Sequence, residues 1–371
     1  IGGGSPHLLL EPSRANIVEY SEYFEGSIWE TANLNVKNNN AISPEGVQNA
    51  VKIIETTTTN TNFRLRTNSS RTTSGDNILS IYAKAGERTW IVLREQSQTG
   101  VYAFFNLSGN GSVGQSTADN PTIEPLSDGW YRCSITDVLT AVGMDIRIAL
   151  SDGVDSYDGV FGNGLYVYGA QIEQGSYLTS YIPNHSGGSA SRESELVQTA
   201  DVSSLNLIGQ DEGVFFLDFE FLDGQAAENQ NWIALESENG QERVLIYKTG
   251  NNTRFRIYCV VNGTLILNYT TNVVVASNTR YKVAFKYSSG DIAIVVNGIL
   301  QTTATTTYTR GSDLSRVTFN ESNIQPSCRV HQAIVLTSGW DNLDLAVLTG
   351  LTNYYASFSE MATALNYTIY E

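Results

Sequence analysis

Residues 165–191 read LYVYGAQIEQGSYLTSYIPNHSGGSAS, and two patterns meet in them. Tyr166, Tyr168, Ala170 and Ile172 recur at every second position, the spacing of a half-buried strand. Gly175 and Ser176 interrupt the alternation, and a short aromatic run from Tyr177 to Ile182 ends at Pro183. From His185 to Ser191 the chain turns polar, with Gly187 and Gly188 inside. One strand-rich unit closes here and another opens.

Upstream, 34–150 is strand after strand: 47–55, 77–85, 90–94, 101–107, 129–136 and 144–150 alternate or run apolar, with Gly- and Ser-rich turns between them. Downstream, 214–223, 231–237, 243–249, 255–261, 264–270, 280–288, 291–300, 315–320 and 329–338 read the same way. Asn297 and Gly298 form the clearest turn dipeptide of the chain. Only 343–353 and 357–367 carry apolar residues at helical spacing. The expectation is an all-β protein of two tandem β-sandwich domains with a short helical C-terminal tail. Its parts are a lead-in segment over 1–12, a first domain over 13–183, a linker over 184–200 and a second domain over 201–371.

The bulk properties agree. Of 371 residues 41% are hydrophobic and only 16% charged, which suits many short strands joined by polar turns. A net charge of −16 argues against nucleic acid and anionic membranes, and it suits divalent cations. No apolar run approaches a membrane span, so no membrane insertion is expected. Cys133, Cys259 and Cys328 lie far apart with no CxxC spacing, so buried free thiols are expected rather than zinc ligands. A Cys259–Cys328 pairing is the alternative.

Several stretches resemble known modules. PHLLLEPSRANIVEYSEYF (6–24), NILSIYAKAG (77–86), DGWYR (128–132) and YVYGAQIEQGSYLTSYIP (166–183) resemble, in order, a carbohydrate-binding-module-like jelly roll common in bacteriophage structural proteins. RYKVAFKYSSGDIAIVVNGIL (280–300) resembles laminin-G or concanavalin-like lectin domains, and 343–367 is similar to the closing segment of tail-fibre or other virion-surface proteins. The resemblance implies a virion structural protein, displayed at the particle surface, that attaches to a host-surface glycan. Its partners would be that glycan and other virion proteins. It would assemble as a homo-oligomer, with a trimer as the expected case.

Sugars offer apolar C–H faces to aromatic rings and hydroxyls to Asn, Asp, Gln or Arg. In the first domain Trp29, Trp90 and Tyr102 are candidate platforms, with Asn62, Arg64 and Arg66 as polar partners. In the second, Trp232, Tyr247, Arg254 and Tyr258 are candidates. With 20 tyrosines in the chain, most aromatics must be structural, and each of these also fits a core position. Asp152, Asp155 and Asp158 share one Gly-containing loop, SDGVDSYDG, whose oxygens suit calcium; a solvated turn is the competing reading. The resemblance adds Glu11 and Asp145 as alternative calcium ligands.

Catalytic patterns are sparse. GxSxG and the P-loop are missing, and the three histidines lie in a lead-in, a linker and a strand. Gly109, Gly111 and Gly114 spell GxGxxG, but QSTADNP after them cannot open the helix that motif needs, which leaves a turn. Asp218 and Glu220 share one face of a strand, where a solvated face is favoured over a glycosidase pair. The expected function is therefore non-enzymatic glycan attachment. A purely architectural brace between virion subunits is the alternative, and a polysaccharide lyase or hydrolase the more distant one.

Overall fold

The computed structural model describes residues 8–25, 27–67, 71–96, 100–195, 197–199, 201, 207–222, 230–248, 254–319, 328–337 and 340–350. The chain divides into two compact units, one over Arg14–Glu193 and one that joins Ser194 onward to the segment ending at Ser13.

In the first unit two six-stranded antiparallel sheets enclose one core. The front sheet runs, edge to edge, Ser112–Ser116, Tyr102–Asn106, Trp90–Glu95, Met144–Ala149, Phe63–Thr67, Trp29–Ala32. The back sheet runs Thr122–Pro125, Trp130–Val138, Asp76–Lys84, Gly164–Gln174, Ala50–Glu55, Leu34–Ala41. Alternate residues of each strand point inward: Ile91 and Leu93, Ile146 and Ile148, and Phe63 and Leu65 meet Leu79, Ile81, Val167 and Ile53 of the facing sheet. Removing that apolar surface from water is the main force holding the sheets together.

The second unit repeats the plan. One sheet is Leu8–Leu10, Cys328–Leu336, Glu212–Phe221, Thr279–Ser288, Ile292–Val296, Ile299–Ala304, and the other is Val197–Gln198, Arg316–Phe319, Gln230–Glu236, Arg243–Lys248, Arg254–Val261, Thr264–Val274. Phe215, Leu217, Phe219 and Phe221 enter the shared core, as their alternation predicts. Asn297 and Gly298 both take positive φ, 47° and 79°, and form the turn between Ile292–Val296 and Ile299–Ala304. The helix Asn342–Gly350 lays Leu345 and Leu348 on Val214, Phe216, Ala284, Ala293 and Val295, covering the outward side of the first of these sheets. The fold is thus all-β with one described helix; the second helix expected over 357–367 lies outside the described residues.

The assigned connections differ from the expected ones. The lead-in over 1–12 contains Leu8–Leu10, an edge strand of the second unit in register with Cys328–Val330. The linker over 184–200 is largely structured. Asn184, 1% exposed, donates to the carbonyls of Val18 and Gly188, and Ala190–Arg192 pairs with Arg14–Asn16, both in the first unit. Val197–Gln198 already pairs with the second unit's Arg316–Phe319. A polar, Gly-containing composition marks turns but does not reveal where the turn's backbone groups find partners. The three cysteines are buried free thiols.

Candidate functional site

The front sheet of the first unit carries an unusual outward face. In Trp90–Glu95 the inward residues are Ile91 and Leu93, so Trp90, Val92 and Arg94 point out. By the same parity Tyr102, Phe104 and Asn106 point out from the neighbour on one side; Asp145, Arg147 and Ala149 do so on the other, and Arg64 and Arg66 one strand further. The antiparallel register lines these up in rows. One row is Tyr102, Arg94, Asp145, Arg66, Glu30, and the next is Phe104, Val92, Arg147, Arg64, Ala32. Val92, Phe104 and Ala149 are buried and pack with the half-buried Trp90 and Tyr102 into an apolar cluster.

Charge is ordered around that cluster. The Arg94 guanidinium lies 5.0 Å from the Tyr102 ring centre. Arg147 donates from Nη2 to Asp145 Oδ2 at 2.7 Å and from Nη1 to Asp155 Oδ2 at 2.8 Å, and Arg94 Nη1 lies 3.7 Å from the same Asp155 oxygen. Burial, then the nearby Arg147 charge, holds the Arg94 guanidinium below its ordinary range against the pull of Asp155 and Asp145. Burial also opposes the charge on Arg147, but hydrogen bonds and charge from Asp145 and Asp155 win and raise it.

The 151–156 loop is tied down beside this face. Leu150 N–H donates to the Val154 carbonyl at 2.9 Å, Asn62 Nδ2 donates to the Asp155 carbonyl at 2.7 Å, and Gln115 N–H donates to Asp152 Oδ1 at 2.7 Å. Gly114 explains itself here. A Cβ on it would stand 2.2 Å from Asp152 Oδ1 and 2.9 Å from Trp90 Cζ3, so only glycine lets the edge strand pass between them. Gly109 and Gly111 take positive φ in the preceding turn.

Sequence reasoning and structure agree unevenly. Trp90, Tyr102, Arg64, Asn62 and Arg66 belong to one face and its rim, although they come from three separate strands and a loop. Trp29 does not join them: it is 7% exposed and meets Phe24 edge-on at 4.9 Å in the core, because the outward parity of its strand falls on Glu30. The three aspartates expected around calcium do not converge. Asp155 faces two guanidinium groups, which supply the positive charge a cation would, and Asp152 caps a backbone N–H. Asp158 is exposed on a short strand with Asn60–Thr61. Asp145 is likewise taken by Arg147, and among the described residues no group of three or more His, Cys, Asp or Glu is placed to hold a metal ion. Arg94, Arg147 and Phe104 were missed as face residues. Their signal was a charged or aromatic residue at alternate positions of otherwise apolar runs, as in WIVLRE and MDIRIA.

In the second unit Tyr247 and Tyr258 stack in parallel, 5.2 Å apart with planes at 1°, and Arg256 lies 5.0 Å from the Tyr258 ring while its Nε donates to Asn268 at 2.6 Å. Arg254 donates to the Thr271 carbonyl at 3.3 Å. The Trp232 side chain lies outside the described residues. Asp218 and Glu220 are each held by an arginine, Arg280 and Arg329, in separate ion pairs. On the back sheet of the first unit Tyr82, Tyr168 and Tyr181 cluster beside Trp130. The Tyr181 hydroxyl bonds Ser21 and Glu22, and Trp130 Nε1 donates to the Ile42 carbonyl, so this group braces loops.

Fold and face together define an all-β protein of two sandwich modules, one bearing an outward aromatic–arginine surface. No protein-family model and no curated protein matches the chain. Among solved structures it is similar to the CBM40 module of the Ruminococcus gnavus IT-sialidase bound to α2,3-sialyllactose, at 13% identity over 42% of this chain and 98% of that one, with a TM-score of 0.33. It is also similar to a heptameric SAP-like pentraxin from Limulus polyphemus (13% identity, 38% of this chain, 71% of that one, TM-score 0.32). A third is the receptor-binding domain of a botulinum neurotoxin of mosaic serotype C/D (10% identity, 42% and 39%, TM-score 0.33).

Proposed function

We propose that the chain is a non-enzymatic glycan-binding protein and that the front face of its first unit is the sugar-binding surface. The observation that carries this is the pair of half-buried rings of Trp90 and Tyr102, packed on Phe104 and set beside Arg94, Arg147 and Asp145 on the strands and Asp155 in the adjoining loop. An aromatic ring takes the C–H face of a pyranose, and charged groups already fixed by one another bind hydroxyls without first losing rotamer freedom. The tied 151–156 loop closes one side of that surface. In the wider reading the protein is a virion structural component of tail-fibre, spike or capsid-surface type. It is an oligomer at the particle surface that presents this module to a host glycan; the sequence resemblance supports that setting.

The test is a glycan array probed with the purified chain, followed by titration of hits with Trp90→Ala and Tyr102→Ala. Each substitution is expected to weaken binding about tenfold or more, with the melting curve preserved. Silence across bacterial, algal and animal glycans would instead favour the bracing role, and release of reducing ends or unsaturated products would mean an enzyme.

A further inference from the structure

We infer that the sugar bound on the front face is acidic, and that Arg64 binds its carboxylate. This rests on the glycan reading and narrows it. One charged group on the face has no partner among the described residues. Arg66 and Glu30 cancel, through two hydrogen bonds to one carboxylate oxygen. Of the remainder, Arg94 and Arg147 are matched by Asp145 and Asp155, and Asp152 of the same loop accepts from Gln115 N–H. Arg147 holds both carboxylates, and Arg94 shares one of them. Arg64 is left over. It points outward from Phe63–Thr67, lies half-buried directly opposite Arg147 across the ladder, and makes no hydrogen bond or ion pair to any described residue. The Arg64 guanidinium is therefore a fixed positive group on the face whose donors are open to a ligand.

A planar carboxylate fits the forked donors of an arginine, and charge-assisted bonds of this kind are the strong ones. Trp90 and Arg64 sit two strands apart and two positions out of row, roughly 12 Å. One pyranose ring does not cover both, so the ligand is an oligosaccharide with one residue on the aromatic cluster and its acidic residue over Arg64.

The experiment measures binding of the full chain, by calorimetry, to two matched pairs: sialyllactose against lactose, and tetragalacturonate against its methyl ester. In at least one pair the acidic member is expected to bind about tenfold or more tighter. Arg64→Gln should close that gap while the melting curve holds, and Arg64→Lys, which keeps the charge but loses the fork, should restore part of it. If neutral and acidic members bind alike, the acidic assignment is wrong; if Arg64→Gln leaves the gap intact while Trp90→Ala abolishes binding, Arg64 is not what holds the carboxylate; in both cases the glycan face stands. If neither these pairs nor a broad array of neutral and acidic glycans binds at all, both readings fail together.

Discussion

Cys259 and Cys328 show at the residue scale how burial sets chemistry, alone at Cys328 and against the opposing Arg310 charge at Cys259. Burial pushes the Cys259 thiol up to about 11 and the Cys328 thiol up to about 12, from an ordinary value of 9.0. Between those values the folded chain keeps its thiol protons while the unfolded chain gives them up. The unfolded state then binds fewer protons, so stability is intact below pH 9.0 and falls as pH rises through that window, by about 1.4 kcal/mol per pH unit for each thiol. Urea midpoints at neutral pH and near pH ~10.5 should show this for the second unit, and Cys328→Ala should flatten the decline. Equal declines in both proteins would remove Cys328 from the account. The same scale marks the limit of sequence reading. Trp29 and Trp90 both lie in strands with aromatic and charged neighbours, and composition alone makes them equal candidates. What separates them is parity: Ile91 and Leu93 force Trp90 outward, whereas WETA has no flanking apolar pair to fix which way its tryptophan points.

Elements were the most legible level, because alternation writes each strand's inward face into the sequence and the strand then has little choice of side. What alternation does not write is who sits beside whom at the ends of the sheets. Glu55, the last residue of Ala50–Glu55, is fully buried. It accepts from Arg88 Nε at 2.6 Å and Nη2 at 3.0 Å, from the Tyr157 hydroxyl at 2.6 Å and from Val160 N–H at 2.6 Å. One carboxylate thus ties a back-sheet strand to a turn and to the segment that follows the 151–156 loop. Its partners lie 33 to 105 residues away in sequence, so no local pattern announced it. Glu55→Gln keeps the shape but leaves Arg88, itself mostly buried, without its counter-charge. A loss of about 3 kcal/mol is expected, read as a lower urea midpoint for the first unit. A midpoint within error of the parent would mean that the four bonds to Glu55 carry little net weight.

At the scale of the whole molecule the chain does not run through its units one after the other. From Leu8 it runs in the second unit, passes into the first at Arg14 and returns at Ser194. The sequence hides this, since LLL at 8–10 is apolar enough to be any edge strand and says nothing of its partner. In the structure Leu10 is fully buried among core residues of the second unit, and Leu8, Leu9 and Leu10 are in register with Val330, Arg329 and Cys328. The return is stitched to the start: Glu11 N–H donates to Glu195 Oε2 at 2.6 Å, and Glu195 N–H donates to the Glu11 carbonyl at 3.1 Å. Removing residues 1–12 should therefore weaken the unit distant in sequence and spare the adjacent one. The loss combines a vacated leucine site, about 2–5 kcal/mol, with an unpaired strand edge that invites aggregation. Hydrogen exchange locates the effect. Protection should fall along Cys328–Leu336 and its neighbour Glu212–Phe221, and stay unchanged along Asp76–Lys84 and Gly164–Gln174. Loss confined to the first unit, or no loss anywhere, would show that the N-terminal strand is not what completes the second unit's sheet.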